Sequence, residues 1–181
     1  MTIFIDLAGS WIVRASMITV MLGLSVTMND ALYKTTQQAN TSAALASVAE
    51  IMYTDVNLAG YNTYHVYSYA FEAISSTYMR FHGDLNNGGY PETIRYKATL
   101  DVATGLYKLE RRVDNEAGDT YFTIGDGFKS VTFQYYDYQG VLTSNYWEVV
   151  SVRIKLEKPI AGVTEGFTIA TNDFRVYPSN I

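Results

Sequence analysis

The chain has 181 residues, 48% of them hydrophobic and 17% charged, which fits one folded domain plus an appendage and excludes the disordered class. A net charge of −5 leaves no basic stripe to neutralise phosphates, so nucleic acid is not an expected partner. With no cysteine, disulfides, thiolate metal sites and covalent c-type haem are excluded, and packing alone must hold the fold.

The first element is a helix. Between Asp6 and Asn29 lies an apolar run of 22 residues, LAGSWIVRASMITVMLGLSVTM, whose one charge is Arg14. At ~1.5 Å per residue it spans roughly 33 Å, enough to cross the hydrocarbon core of a bilayer. The residues before it are acidic rather than basic, so a cleavable secretory signal fits poorly. The helical pattern continues past the run. Leu45, Val48, Met52 and Ala59 recur at helical spacing with Ala49 and Val56 beside them, while Asn40, Ser47, Glu50 and Asp55 form the opposite side. Gly60 is the expected C-cap. One helix of ~50 residues, roughly 75 Å long, is predicted. The expected division is residues 1–59 for the helix, apolar all round over 1–28 and amphipathic over 29–59, and residues 60–181 for the head.

Small residues punctuate the apolar half, Gly9, Ala15, Ser16 and Gly23 among them, and permit close helix packing. A lone arginine near the middle of a bilayer costs roughly 2.5–3.5 kcal/mol on insertion scales. Asp6 and Arg14 are eight residues apart, ~12 Å along the axis, too far to pair within one helix. A neighbouring subunit shifted by that distance would bring Asp6 of one chain to Arg14 of the next and fix the register. The alternative leaves Asp6 solvated and Arg14 reaching for a headgroup.

Residues 61–76 have no clean period and are expected to form a loop leading into the head. Tyr61, Tyr64, Tyr67 and Tyr69 cluster there, either as cross-strand packing and amphipathic surface or as a surface for contact between heads or with a ligand. Alternation then takes over. Ile94, Tyr96, Ala98 and Leu100 share one side, as do Tyr107 and Leu109, Val131, Phe133 and Tyr135, and Val150, Val152, Ile154 and Leu156. A short strand, YFTI, is expected to end at Gly125, with Gly125-Asp126-Gly127 as a turn. Turn signals fall at Asp101–Gly105, Asp114–Gly118 and Asp137–Gly140. The predicted fold class is α+β, with the second half of the helix packed on an antiparallel sheet.

Chemistry is hard to find. His65 and His82 have no ligand spacing, and there is no Gly-x-Ser-x-Gly, phosphate loop or nucleophilic cysteine. Asp84-x-Asn86-x-Gly88 begins like a calcium loop but lacks the third acid and distal glutamate. A β-turn is the primary reading, with weak calcium binding at Asp84 and Asn86 as the alternative. No enzyme activity, cofactor or other metal is expected.

Five phrases then carry a resemblance: Tyr53 to Tyr61 at the helix end, Met79 to Gly88 followed by Ile94-Arg-Tyr96, Leu109 to Arg112, Val131 to Asp137, and Phe174 to Pro178. With the long helix before them, they resemble the type IV pilin superfamily, the head being most similar to W-type minor pilins and J-type pseudopilins. Asp6 stands in the place of the glutamate that the family usually has at the fifth mature position; it is fifth if Thr2 is the mature start and sixth if Met1 is. The chain departs from the family in Arg14 and in lacking a basic leader. The resemblance implies a filament subunit that waits in the inner membrane and then assembles with itself or other pilins into an extracellular filament. A membrane-anchored surface binding module and a minor pseudopilin of a secretion system are the competing readings.

Overall fold

The computed structural model describes residues 2–63, 67, 69–114, 120–160 and 168–179, with side chains from Ala8 onward. The fold is α+β. A single helix, α1 (Thr2–Asn57), precedes eight strands among the described residues. The chain forms two compact units, residues 1–39 and 40–181.

In the first unit every described side chain from Ala8 to Thr36 is exposed. The second unit begins with the last turns of α1. Here Leu45, Val48, Ala49, Met52 and Val56 are buried, with Ala59 just beyond, as their spacing predicts. Their core partners include Phe81, Ile94, Tyr96 and Leu109, together with Phe133, Ile154 and Leu156. Each fully buried side chain of this kind stabilises by roughly 1.5–3 kcal/mol, so this stripe is what fastens the helix to the strands. Gly60 ends the helical path with φ 82°, a conformation that favours glycine, and its N–H donates to the carbonyl of His82 at 2.9 Å.

All strand pairs are antiparallel, but they form two sheets rather than one continuous meander. The larger runs β1 (Phe71–Ile74), β2 (Tyr78–Gly83), β3 (Glu92–Asp101), β4 (Leu106–Val113) and β5 (Phe122–Phe128) in sequence order. The smaller comprises β6 (Ser130–Tyr136), β7 (Ser151–Pro159) and β8 (Ile169–Val176). Between β5 and β6 only Lys129 intervenes, and its N–H donates to the carbonyl of Glu157 in β7. A short 3-10 helix, Tyr146–Glu148, lies between β6 and β7.

Four expectations need correction. Residues 61–76 are not all loop, because β1 pairs with β2 through an irregular register at Phe71/Ala73. Gly125-Asp126-Gly127 is not a turn. It lies within β5, where the pairing with β4 shifts register. A Cβ on Gly125 would stand 2.7 Å from Phe128 Cζ and 3.2 Å from Val48 Cγ2, so the glycine admits the packing of helix and phenylalanine over it. Leu100 is exposed, since β3 outruns the core at its last turn. Asp55 is buried, not solvated, for a reason given below. Of the expected turns, 101–105 and 137–140 are present, while most of 114–118 lies outside the described residues.

Candidate assembly interface

From Ala8 to Met28 the exposed surface of the helix is apolar on all sides, with Arg14 as its one charge. Trp11, Ile12, Met17, Met21, Leu24 and Met28 are each at least 58% exposed. The segment from Ala8 is long and apolar enough to cross a membrane by length and composition, a property shared by anchors, signal sequences and assembly helices. Of the small residues, Gly9, Ser16 and Gly23 recur every seven positions and so fall on one face, whereas Ala15 is turned roughly 100° from Ser16. No atom comes within 4 Å of a Cβ built on Gly9 or Gly23, so both leave open notches on the helix.

Hydroxyls on this helix are closed upon its own backbone. Ser16, Thr19, Thr27, Thr35 and Thr36 each donate to the carbonyl four residues earlier at 2.8–2.9 Å. Asp6 lies within α1, but its side chain is outside the described residues. Arg14 is exposed and makes no ion pair among the described residues.

The head secures its end of the helix with a charge. Asp55 accepts from Arg111 Nε at 2.6 Å and Nη2 at 3.3 Å, and also from the buried hydroxyl of Tyr96. The strand pattern explains why. Arg111 occupies the inward side of β4 between Leu109 and Val113, so a cation is aimed at the core and must meet an anion there. Burial alone would lower the Arg111 pKa, but the Asp55 hydrogen bond and charge outweigh it and raise it. Burial, then the neighbouring Asp55, drives the Tyr96 phenol well above its usual range. Sequence reasoning missed this trio. An arginine in an otherwise apolar alternation was the available signal.

The three described tyrosines of the 61–69 segment each meet a different partner. Tyr61 donates to Asn87 Oδ1 at 3.3 Å, Tyr67 stacks on His82 at 3.6 Å, and Tyr69 meets Tyr146 edge-on at 5.8 Å. Tyr64 and His65 lie outside the described residues.

Asp84 organises the loop after β2. Its carboxylate accepts from Asn62 Nδ2 and from the backbone N–H groups of Gly88 and Gly89 at 2.8–2.9 Å. The Asn62 hydrogen bond is the main cause of its lowered pKa, with the backbone donors adding to it. Asn86 donates to Glu92, and Glu92 also accepts from the Leu85 N–H. N–H donors thus surround the Asp84 oxygens where a calcium loop would converge oxygens on a cation. Among the described residues no group of three or more His, Cys, Asp or Glu is placed to hold a metal.

A long N-terminal helix packed on antiparallel strands is a general type IV pilin-like layout. No protein-family model matches the chain, and no curated protein matches it.

Proposed function

We propose that the chain is a structural subunit of an extracellular pilus-like filament and a divergent member of the type IV pilin superfamily. It polymerises through the apolar part of α1, resides in the inner membrane beforehand, and presents its polar head to solvent. The observation that carries this reading is the helix from Ala8 to Thr36, apolar on all sides through Met28 and covered by nothing in the single chain. Soluble monomers rarely leave apolar patches beyond a few hundred Å² uncovered. Lipid covers such a surface too, but the notches at Gly9 and Gly23, on one face with the small Ser16, supply close-packing positions that a lipid-facing anchor does not need. Arg14 likewise calls for a carboxylate when water is removed, and Asp6 of a neighbouring copy has the right charge.

Material sheared from cells producing the chain is expected to contain uniform filaments by electron microscopy. Asp6→Arg and Arg14→Asp should each abolish them, and the double reversal should restore them. Chain found only as detergent-extracted monomer would refute the proposal, whereas filaments indifferent to all three variants would refute the pairing of Asp6 with Arg14. The first outcome would instead favour a membrane-anchored surface binding module, for which the same helix is long enough.

A further inference from the structure

One cleft on the head opens beside the core, with Phe71 at its base. It has a volume of 230 Å³ and is lined by Tyr67, Tyr69, Phe71, Glu72, Arg80, His82 and Tyr146. That is below the roughly 300–1,000 Å³ of drug-sized pockets, so it fits one small ring rather than an extended ligand.

Its walls are aromatic and its floor is charged. Tyr67 lies flat on His82, with ring planes 7° apart, and Tyr69 meets Tyr146 edge-to-face; Trp147, just outside the lining, packs against both, with neighbouring centroids 4.8–6.4 Å apart. Tyr69 and Trp147 are 51% and 53% exposed, so ring surface remains open to solvent. On the floor, Glu72 Oε2 lies 2.9 Å from Arg80 Nε and 3.0 Å from His82 Nε2. The Arg80 contact is an ion pair by distance but is off the line of a hydrogen bond, which leaves Nε without one. Among the described residues, Glu72 Oε1 and the terminal nitrogens of Arg80 have no partner. The floor therefore offers an unused acceptor beside unused donors, with the two charges cancelling.

We infer that this cleft binds a neutral hexose ring, its C–H face against the tyrosines and its hydroxyls bridging Glu72 and Arg80. A hydroxyl both donates and accepts, so a pair of adjacent hydroxyls satisfies carboxylate and guanidinium at once. An anionic ligand would meet Glu72 and a cationic one Arg80, so the balanced floor selects against both. Desolvation lowers the pKa of buried His82 against the pull of Glu72, which disfavours a second cation beside Arg80. Tyrosine and tryptophan supply rigid contact area at small entropy cost, which suits a shallow site.

The inference is independent of filament assembly and is tested on the full chain in dodecylphosphocholine micelles, since sugar-headed detergents would compete. The probes are the methyl glycosides of glucose, galactose and mannose, followed by saturation-transfer NMR. Quenching of Trp147 in a Trp11→Phe background provides the second readout, because the chain has only 2 tryptophans. At least one glycoside is expected to bind in the millimolar range. Tyr69→Ala should weaken it by about tenfold, while Tyr138→Ala, at an 80% exposed tyrosine elsewhere, should leave it unchanged. Glu72→Gln, which keeps shape but upsets the charge balance, should weaken it severalfold with an unaltered circular dichroism spectrum. Absence of transfer from all three sugars, full binding by Tyr69→Ala, or equal loss in Tyr138→Ala would overturn the inference.

Discussion

Replacing Arg111 with methionine tests the charge that fastens the helix. The substitution keeps much of the side-chain volume but strips Asp55 of both guanidinium hydrogen bonds, leaving only the Tyr96 hydroxyl. Losing one partner of a buried ion pair costs about 3–5 kcal/mol, because the remaining charge is stranded. The Asp55 side chain is 8% exposed and that of Arg111 21%, so some water reaches the pair and the lower end, about 3 kcal/mol, applies. At about 2–4 °C per kcal/mol for a domain of this size, the midpoint should drop by roughly 6–12 °C. Denaturant unfolding of the full chain in micelles, followed by near-ultraviolet circular dichroism, gives the free energy directly. The double variant Asp55→Leu, Arg111→Met should recover only part of the loss, since both charges leave together but the buried Tyr96 hydroxyl loses its acceptor. If Arg111→Met falls within about 0.5 kcal/mol of the parent, the pair is not desolvated and the account of the helix lock is wrong.

Two further outcomes follow from packing and protonation. At Gly125 an alanine Cβ would press on Phe128 and Val48 side chains that can shift, so the cost should be about 1–3 kcal/mol. At Gly83 the Cβ would stand 2.4 Å from the Leu58 carbonyl oxygen, which is backbone, so Gly83→Ala should lose more in parallel denaturant curves. Equal losses would refute that ranking. His82 has its pKa lowered by desolvation, against the opposing pull of Glu72. The folded state therefore binds fewer protons than the unfolded one below the ordinary histidine value of about 6.5. The stability is fully present above that pH and is lost as pH falls toward the folded pKa. His82→Asn should remove this part of the slope in midpoint-versus-pH curves, and an unchanged slope would place the titration elsewhere.

The helix was legible because its signals agree at every level. Apolar spacing at Leu45, Val48, Met52 and Val56 matches burial, and the first 28 residues leave no polar face to misread. Asp55 failed because a stripe read from apolar residues alone takes any acid beside it as solvated, whereas Arg111 reaches across to it. Strand β8 was hidden because Asn172 interrupts its inward alternation of Ala170, Phe174 and Val176. The division into two sheets turns on Lys129, a position no turn residue announces. The aromatic cleft was half visible. Sequence locates Tyr67 and Tyr69, but only the fold brings Tyr146 and Arg80 to them.

The hydroxyls of α1 have a consequence for transfer between surroundings. Each serine or threonine that donates to its own backbone has already completed that hydrogen bond before any neighbour arrives. For these five residues, exchange of one apolar medium for another breaks no hydroxyl bond and must form none. Such a helix is interchangeable between solvents: lipid and packed protein differ for it in shape and in the fate of Arg14, hardly in polarity.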